Sequence, residues 1–196
     1  MTKFFLIRHG ANDFVGKSIA GRMPGVHLNT EGRVQAERLA EKLSRESIQK
    51  IFSSPLERTM QTAGPLSKKL GLEIQISDAL LEINFGDWAG KTLGELAPIP
   101  LWKKWNSFRS ATRIPNGEMI VEVQSRMVAQ IEKLRREFPD GTLAIFSHGD
   151  PIRSVLTYFL GMQLDFFARL EISPASVSTL AIDDFGAHVL RLNDVV

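Results

Sequence analysis

The sequence of 196 residues contains no cysteine. The protein therefore has no disulfide, no thiolate nucleophile and no zinc site with cysteine ligands. A lack of cysteine is compatible with a reducing compartment, and the first residues lack the apolar run of a signal peptide. We therefore expect a cytoplasmic protein.

Long apolar runs and a large charge of one sign are also missing. No stretch approaches the roughly 20 apolar residues that a transmembrane helix needs, so we expect no membrane partner. The 24 Lys and Arg residues outnumber the 22 Asp and Glu residues by only two, which gives no indication of a nucleic-acid partner. The length favours a single domain over residues 1–196, in which residues 92–116 form a small helical insertion or lid. The oligomeric state is not indicated.

Two short apolar runs that each end in His-Gly are the main feature of the sequence. They are residues 4–10, Phe-Phe-Leu-Ile-Arg-His-Gly, and residues 143–149, Leu-Ala-Ile-Phe-Ser-His-Gly. Apolar, β-branched and aromatic residues in such runs predict strands that are buried on both faces. Imidazole and glycine are poor core material. We therefore expect both histidines at the rim of an open α/β sheet, where ligands bind.

The order of the remaining patterns predicts the fold class. Strand-like segments alternate with helical periodicity, and a final pair of strands lies within residues 177–192. This order predicts an α/β three-layer sandwich with helices on both faces of the sheet. The sheet is expected to be mostly parallel, with about six strands and one antiparallel edge strand.

A further cation follows another predicted strand, residues 50–53. This strand runs into a Ser-Pro pair, in which Ser54 is predicted to cap the next helix. Arg58 then lies in the first helical turn, where the helix dipole disfavours a cation unless an anion sits between them. Together with Arg8 and the helix start at Gly149, Arg58 predicts a binding site for a phosphate dianion.

The same rim holds the groups that phosphoryl transfer needs. A neutral histidine beside a bound phosphate is a competent nucleophile, and a second, protonated histidine would stabilise the transferring group; His9 and His148 are the candidates. Glu82 lies inside an apolar run, where burial would raise the pKa of its carboxyl group. Glu82 is therefore the candidate general acid.

Five segments resemble, in order and spacing, the motifs of the histidine phosphatase superfamily, the phosphoglycerate mutase-like proteins. They are residues 6–10, 28–36, 53–63, 81–90 and 147–149. The resemblance extends along nearly the whole chain. It indicates the phosphatase branch, because the mutase branch has a longer insertion after the segment that contains Glu82.

The resemblance implies a role for each of these residues. His9 would be phosphorylated during turnover, and Arg8, Arg58 and His148 would form the phosphate pocket. Glu82 would protonate the leaving oxygen and then act as the base for the attacking water. The resemblance implies neither a metal nor an organic cofactor, and we expect a small-molecule phosphomonoester as the substrate.

Two positions depart from the family pattern. Ala11 stands where many relatives have Glu or Gln, and Val15 stands where many have an Asn that touches the phosphate. Asn12 is the candidate to supply the missing contact, and we include it with Gly149 among the predicted phosphate-binding residues.

Alternative interpretations remain open at this point. The histidines could be structural strand-end residues, and the protein could be a mutase or a non-catalytic module that binds phosphorylated ligands. Trp102 and Trp105 have helical spacing that favours packing, but Arg109 and Arg113 nearby leave open a lid that meets the leaving group of the substrate. Specificity is expected in residues 11–28 and 93–116, and the substrate itself is not indicated.

Overall fold

The computed structural model describes residues 1–195, which form one six-stranded sheet covered by helices on both faces. The strands are β1 (Thr2–Arg8), β2 (Lys50–Ser53), β3 (Ile74–Ile76), β4 (Thr142–Ser147), β5 (Val177–Ile182) and β6 (Ala187–Asp194). The α-helices are α1 (Thr30–Leu43), α2 (Glu57–Leu70), α3 (Leu93–Leu96), α4 (Pro100–Ser107), α5 (Ile120–Glu137) and α6 (Gly149–Phe159). Within residues 1–195, no helix combines the length and the apolar character needed to cross a membrane.

The order of the strands across the sheet is β3-β2-β4-β1-β5-β6. The first four of these strands are parallel, whereas β5 runs antiparallel to both β1 and β6. The final hairpin thus forms the edge of the sheet, and the predicted α/β fold with a mostly parallel sheet is confirmed. The register pairs Arg8 at the end of β1 with Ser147 at the end of β4.

Both faces of β1 are buried, which explains its unbroken apolar run. Phe4 and Leu6 belong to a core beneath α5 and α6, whereas Phe5 and Ile7 belong to a second core beneath α1 and α2. Successive side chains of a strand point to opposite faces, so a strand between two helical layers needs apolar residues at every position.

Residues 92–116 contain the short helices α3 and α4. Their side chains do not form a separate core. Leu96, Trp105 and Ile114 are fully buried in the core beneath α5 and α6, where Trp105 packs against Trp88 and Trp102. This segment is therefore anchored to the body of the sandwich.

The prediction that Ser54 caps α2 is wrong. The helix begins at Glu57, after Leu56, and no side chain forms a hydrogen bond that caps it. The Ser54 hydroxyl instead pairs with the ring of His148 at 3.0 Å. The same hydroxyl also accepts from the Leu56 N–H at 3.4 Å, before the helix begins. Arg58 lies in the first turn of the helix as predicted.

Candidate active site

The two His-Gly segments meet at the carboxyl ends of the adjacent strands β1 and β4. The backbone N–H of His9 donates to the Ser147 carbonyl at 3.1 Å, which extends the ladder past the last strand residue. The ring centroids of His9 and His148 lie 5.3 Å apart, at an interplanar angle of 61°. His9 is 4% exposed and His148 is 0% exposed. The parallel register therefore brings together two histidines that are 139 positions apart.

The hydrogen bond of His9 fixes which ring nitrogen is free. Nδ1 of His9 lies 2.8 Å from the Gly10 carbonyl, and a carbonyl oxygen only accepts, so Nδ1 carries the proton. Nε2 then keeps its lone pair. Burial, followed by the nearby charges of Arg58 and Arg8, holds the pKa of His9 well below 6.5. The ring is neutral at neutral pH and has one nucleophilic nitrogen.

Two glycines allow the loop after β1 to pass close to the start of α1. A Cβ atom on Gly10 would lie 2.8 Å from the Gly32 carbonyl oxygen, and one on Gly32 would lie 2.0 Å from the Ala11 carbonyl oxygen. The backbone N–H of Gly10 donates to the Thr62 hydroxyl at 3.0 Å. This close crossing fixes the backbone that carries His9.

Arg8 and Arg58 both line one cavity. Arg58 Nη2 donates to the Gly21 carbonyl at 2.7 Å, and Arg8 Nη1 donates to the Ile172 carbonyl at 2.6 Å. Nε of both arginines and Nη1 of Arg58 are buried and have no hydrogen-bond partner within residues 1–195. Buried guanidinium N–H groups of this kind are suited to the oxygens of a phosphate.

His148 is fully buried and contacts the guanidinium of Arg58. Its Nδ1 accepts from Arg58 Nη2 at 3.2 Å, so Nε2 carries the proton and donates to the Ser54 hydroxyl at 3.0 Å. Burial, and next the charge of Arg58, holds the pKa of His148 well below its usual range. The free protein therefore favours a neutral His148, which orients Arg58.

Glu82 lies in the loop between the 3₁₀ turns Asp78–Leu80 and Gly86–Trp88. Its side chain is 13% exposed, and Oε2 is 4.0 Å from Nδ1 of His148. Burial, with a smaller contribution from Asp150, raises the pKa of Glu82 to about 7, although Arg58 and the Ile83 N–H oppose this. Glu82 therefore holds a proton in the range where a general acid is most effective.

One cavity of about 170 Å³ collects most of the predicted residues. Its lining includes Arg8, His9, Asn12, Arg58, Glu82 and Gly149, whereas the fully buried His148 is not part of the lining. The Phe14 N–H donates to Oδ1 of Asn12 at 3.0 Å. This bond uses the amide oxygen of Asn12, so its NH₂ group remains to serve as a donor.

A profile of the histidine phosphatase superfamily, branch 1, matches residues 4–195. The chain belongs to this superfamily. The match includes residues of every strand and helix described above, in agreement with the resemblance found in the sequence.

The relatives of this chain include proteins named as phosphatases. The chain is 30% identical to phosphoserine phosphatase 1 of Hydrogenobacter thermophilus, over 98% of this chain and 92% of the relative. The structure of mycobacterial glucosyl-3-phosphoglycerate phosphatase is 25% identical, with a TM-score of 0.87 and coverage of 98% of both chains. Bacillus stearothermophilus YhfR has a TM-score of 0.93 over 100% of this chain and 98% of its own, and at 24% identity it shows the fold alone.

A second cavity of about 240 Å³ adjoins the first. The two cavities share Ile19, Phe85, Asp150 and Arg153. Further lining comes from Trp102, Trp105, Asn106, Arg109, Phe167 and Ala168. A substrate whose phosphate occupies the first cavity can extend its leaving group into the second.

Arg109 and Arg113, which the sequence placed together near a lid, have different positions. Arg109 lies 4.0 Å from the Trp105 ring centroid and 4.4 Å from that of Phe167, measured from Cζ. Arg113 pairs with Glu122 at the surface. Only Arg109 lines the second cavity.

Asp150, Arg153 and Phe167 line this cavity but were not predicted as site residues. Asp150 was interpreted as a helix cap. Its carboxylate accepts from Arg153 Nη1 at 3.1 Å and lies 4.0 Å from Arg109 Nη1. The i, i+3 spacing of Asp150 and Arg153, directly after His148, was the available signal.

Within residues 1–195, no group of three or more His, Cys, Asp and Glu side chains is arranged to hold a metal ion.

Proposed function

We propose that this protein hydrolyses phosphomonoesters through a phosphohistidine on His9, with Glu82 as the proton donor. The proposal rests on which ring nitrogen of His9 carries the proton. Its Nδ1–H is held by the Gly10 carbonyl, which leaves the Nε2 lone pair for substrate. Arg8, Arg58 and a protonated Glu82 line the same cavity.

In the first step, the Nε2 lone pair of His9 attacks phosphorus and forms an N–P bond while the P–O bond to the leaving group breaks. Glu82 gives its proton to the departing oxygen, which leaves as an alcohol. Arg8 and Arg58 hold the non-bridging oxygens in place. The Nδ1–H bond to the Gly10 carbonyl stabilises the positive charge that develops on the ring.

In the second step, a water molecule attacks phosphorus of the phosphohistidine. Glu82, now a carboxylate, takes a proton from the water, and the N–P electron pair returns to Nε2 of His9. Inorganic phosphate leaves, and both His9 and Glu82 regain their starting protonation states. No step in this proposal requires a metal or an organic cofactor.

The proposed substrate is a small phosphomonoester, and the chain is proposed to act as a single domain. Its relatives include enzymes named as phosphatases of phosphoserine and of glucosyl-3-phosphoglycerate. The second cavity supports a polar leaving group, because it is lined by the charged side chains of Arg109, Asp150 and Arg153.

The test is hydrolysis of p-nitrophenyl phosphate in EDTA between about pH 5 and 8, the range over which histidine changes charge. We expect turnover by the wild type and none by His9→Ala, whereas His188→Ala, at an exposed position on β6, retains activity. Phosphate binding without turnover would instead indicate a non-catalytic module. With a phosphoglycerate as the substrate, formation of its isomer would indicate a mutase.

A further inference from the structure

Three charged side chains form a cluster behind the loop that carries Glu82. Arg22 comes from the loop between β1 and α1, Glu118 precedes α5, and Arg126 lies within α5. Oε2 of Glu118 lies 2.8 Å from Nη2 of Arg22 and 3.4 Å from Nη2 of Arg126. None of the three lines either cavity, so the cluster lies outside the proposed substrate site.

Both arginines of this cluster donate to the backbone carbonyl of Glu82. The distances are 2.7 Å from Nε of Arg22 and 3.2 Å from Nη2 of Arg126. Nη1 of Arg126 also donates to the Ala79 carbonyl at 2.7 Å. A carbonyl oxygen has two lone pairs, and both are used here. The backbone of Glu82 is thus held from two different elements.

Glu118 holds the same loop on the other side of Glu82. Its carboxylate accepts from the Asn84 N–H at 2.8 Å, and its own N–H donates to the Asn84 carbonyl at 2.9 Å. The side chains of Arg22, Glu118 and Arg126 are 31%, 21% and 20% exposed. Partly buried charges in a network are less screened than an exposed surface pair.

The cluster also links the acid loop to the phosphate pocket. The residue before Arg22 is Gly21, whose carbonyl accepts from Arg58 Nη2 at 2.7 Å. This contact is made by the Gly21 backbone, so replacing the side chain of Arg22 leaves the partner of Arg58 in place.

We propose that Arg22, Glu118 and Arg126 are positioning residues for the general acid Glu82. They fix its backbone so that the carboxyl group lies over the phosphate cavity, within 4.0 Å of His148. The inference rests on the proposed function of Glu82 as proton donor. Since a displacement of about 1 Å can cost roughly 100-fold in rate, loss of the cluster should impair proton transfer more than phosphate binding.

The test compares two substrates that differ in their need for the acid. An alkyl phosphate such as glycerol 2-phosphate has a basic leaving oxygen that requires a proton, whereas p-nitrophenol leaves readily without one. For Arg126→Met, we expect kcat/KM for the alkyl phosphate to fall by about 10- to 100-fold, with kcat/KM for the aryl phosphate and inhibition by inorganic phosphate changed less than about threefold. We compare kcat/KM because it covers the steps up to release of the leaving group and excludes the later attack of water, which both substrates share. Arg126→Lys should recover part of the loss.

Arg135→Met is the matched control. Arg135 is also a partly buried guanidinium of α5, and its Nη2 donates to the Asp183 carbonyl at 2.9 Å, far from Glu82. Arg135→Met should leave the ratio of kcat/KM for the two substrates unchanged. Glu118→Gln and Arg22→Met carry the same prediction as Arg126→Met, so the test does not depend on the folding of one variant.

Equal losses on both substrates, or no loss in any of the three cluster variants, would overturn the inference. Glu82→Gln separates this result from failure of the proposed function. If Glu82→Gln lowers kcat/KM for the alkyl phosphate more than kcat/KM for the aryl phosphate while the cluster variants do not, only the positioning role is wrong. If Glu82→Gln itself lacks that selectivity, the proposed acid is wrong.

Discussion

Nη2 of Arg58 donates to Nδ1 of His148 at 3.2 Å. This bond joins the first turn of α2 to the end of β4, and it uses only one of the terminal nitrogens of the guanidinium. Nε and Nη1 of Arg58 remain buried and without a protein partner within residues 1–195. His148 thus orients Arg58, and Arg58 in turn favours the neutral form of His148.

Replacement of Arg58 should therefore weaken phosphate binding strongly. Arg58→Ala removes two free donors and a charge, so kcat/KM for p-nitrophenyl phosphate should fall by about 100- to 1000-fold. The kcat/KM of Arg58→Lys should lie between those of the wild type and Arg58→Ala, because lysine keeps the charge but lacks the planar guanidinium. The control is Arg33→Ala, which removes a guanidinium bonded to the Leu28 carbonyl. A loss of less than about threefold for Arg58→Ala would contradict the assignment.

The raised pKa of Glu82 predicts the alkaline limb of the pH profile. Glu82 donates its proton only below its pKa of about 7, so kcat/KM for an alkyl phosphate should fall about tenfold per unit above that pH. Since the pKa of His9 is held well below 6.5, His9 itself should not limit activity near neutrality. Glu82→Gln should abolish the alkaline limb. A limb unchanged in Glu82→Gln would assign the ionisation to another group.

Arg109 is predicted to contribute to recognition of the leaving group. Arg109→Ala should raise KM by about tenfold for a phosphate ester with a carboxylate on its leaving group, and by much less for a neutral ester of similar size. The pair 3-phosphoglycerate and glycerol 1-phosphate makes this comparison. Arg113→Ala is the control, because Arg113 pairs with Glu122 away from the cavity. Equal effects of both variants would argue against the role of Arg109.

Gly32, at the close crossing after His9, and Gly64, inside α2, should differ in how replacement by alanine changes the free energy of unfolding. Gly32→Ala would place a Cβ atom 2.0 Å from the Ala11 carbonyl oxygen, and overpacking of this kind costs about 1–3 kcal/mol. Gly64→Ala, inside α2, meets no atom within 4 Å and should stabilise the protein by up to about 1 kcal/mol. Denaturant unfolding measures both values. A tolerated Gly32→Ala would show that the crossing is not tight.

Much of the candidate site follows from the sequence, because each part of it lies at the end of a recognisable strand or helix. The apolar runs placed His9 and His148 at strand ends, and parallel pairing then brought them to one rim. The position of Arg58 in the first turn of a helix could likewise be predicted from neighbouring residues of the sequence. The isolated carboxylate in an apolar run was enough to indicate Glu82.

The remaining features depend on contacts between distant segments. Ser54 has the local pattern of a helix cap, yet its hydroxyl is used by His148, 94 positions away. Arg22 and Arg126 donate to the Glu82 carbonyl from separate elements, and Glu118 pairs with both arginines, with no shared periodicity to indicate this arrangement. Phe167 reaches the second cavity from a 3₁₀ turn that carries no motif. Such arrangements are set by tertiary packing rather than by local propensity.

The most direct test of the central claim is to trap the covalent intermediate. The wild-type protein is mixed with a phosphomonoester, quenched in alkali because phosphohistidine is labile to acid, digested and analysed by mass spectrometry. We predict one phosphoryl group on the peptide that contains His9, its absence in His9→Ala, and none on the peptide that contains His148. Turnover without phosphorylation of His9, or phosphorylation at another residue that forms at the rate of turnover, would contradict the account.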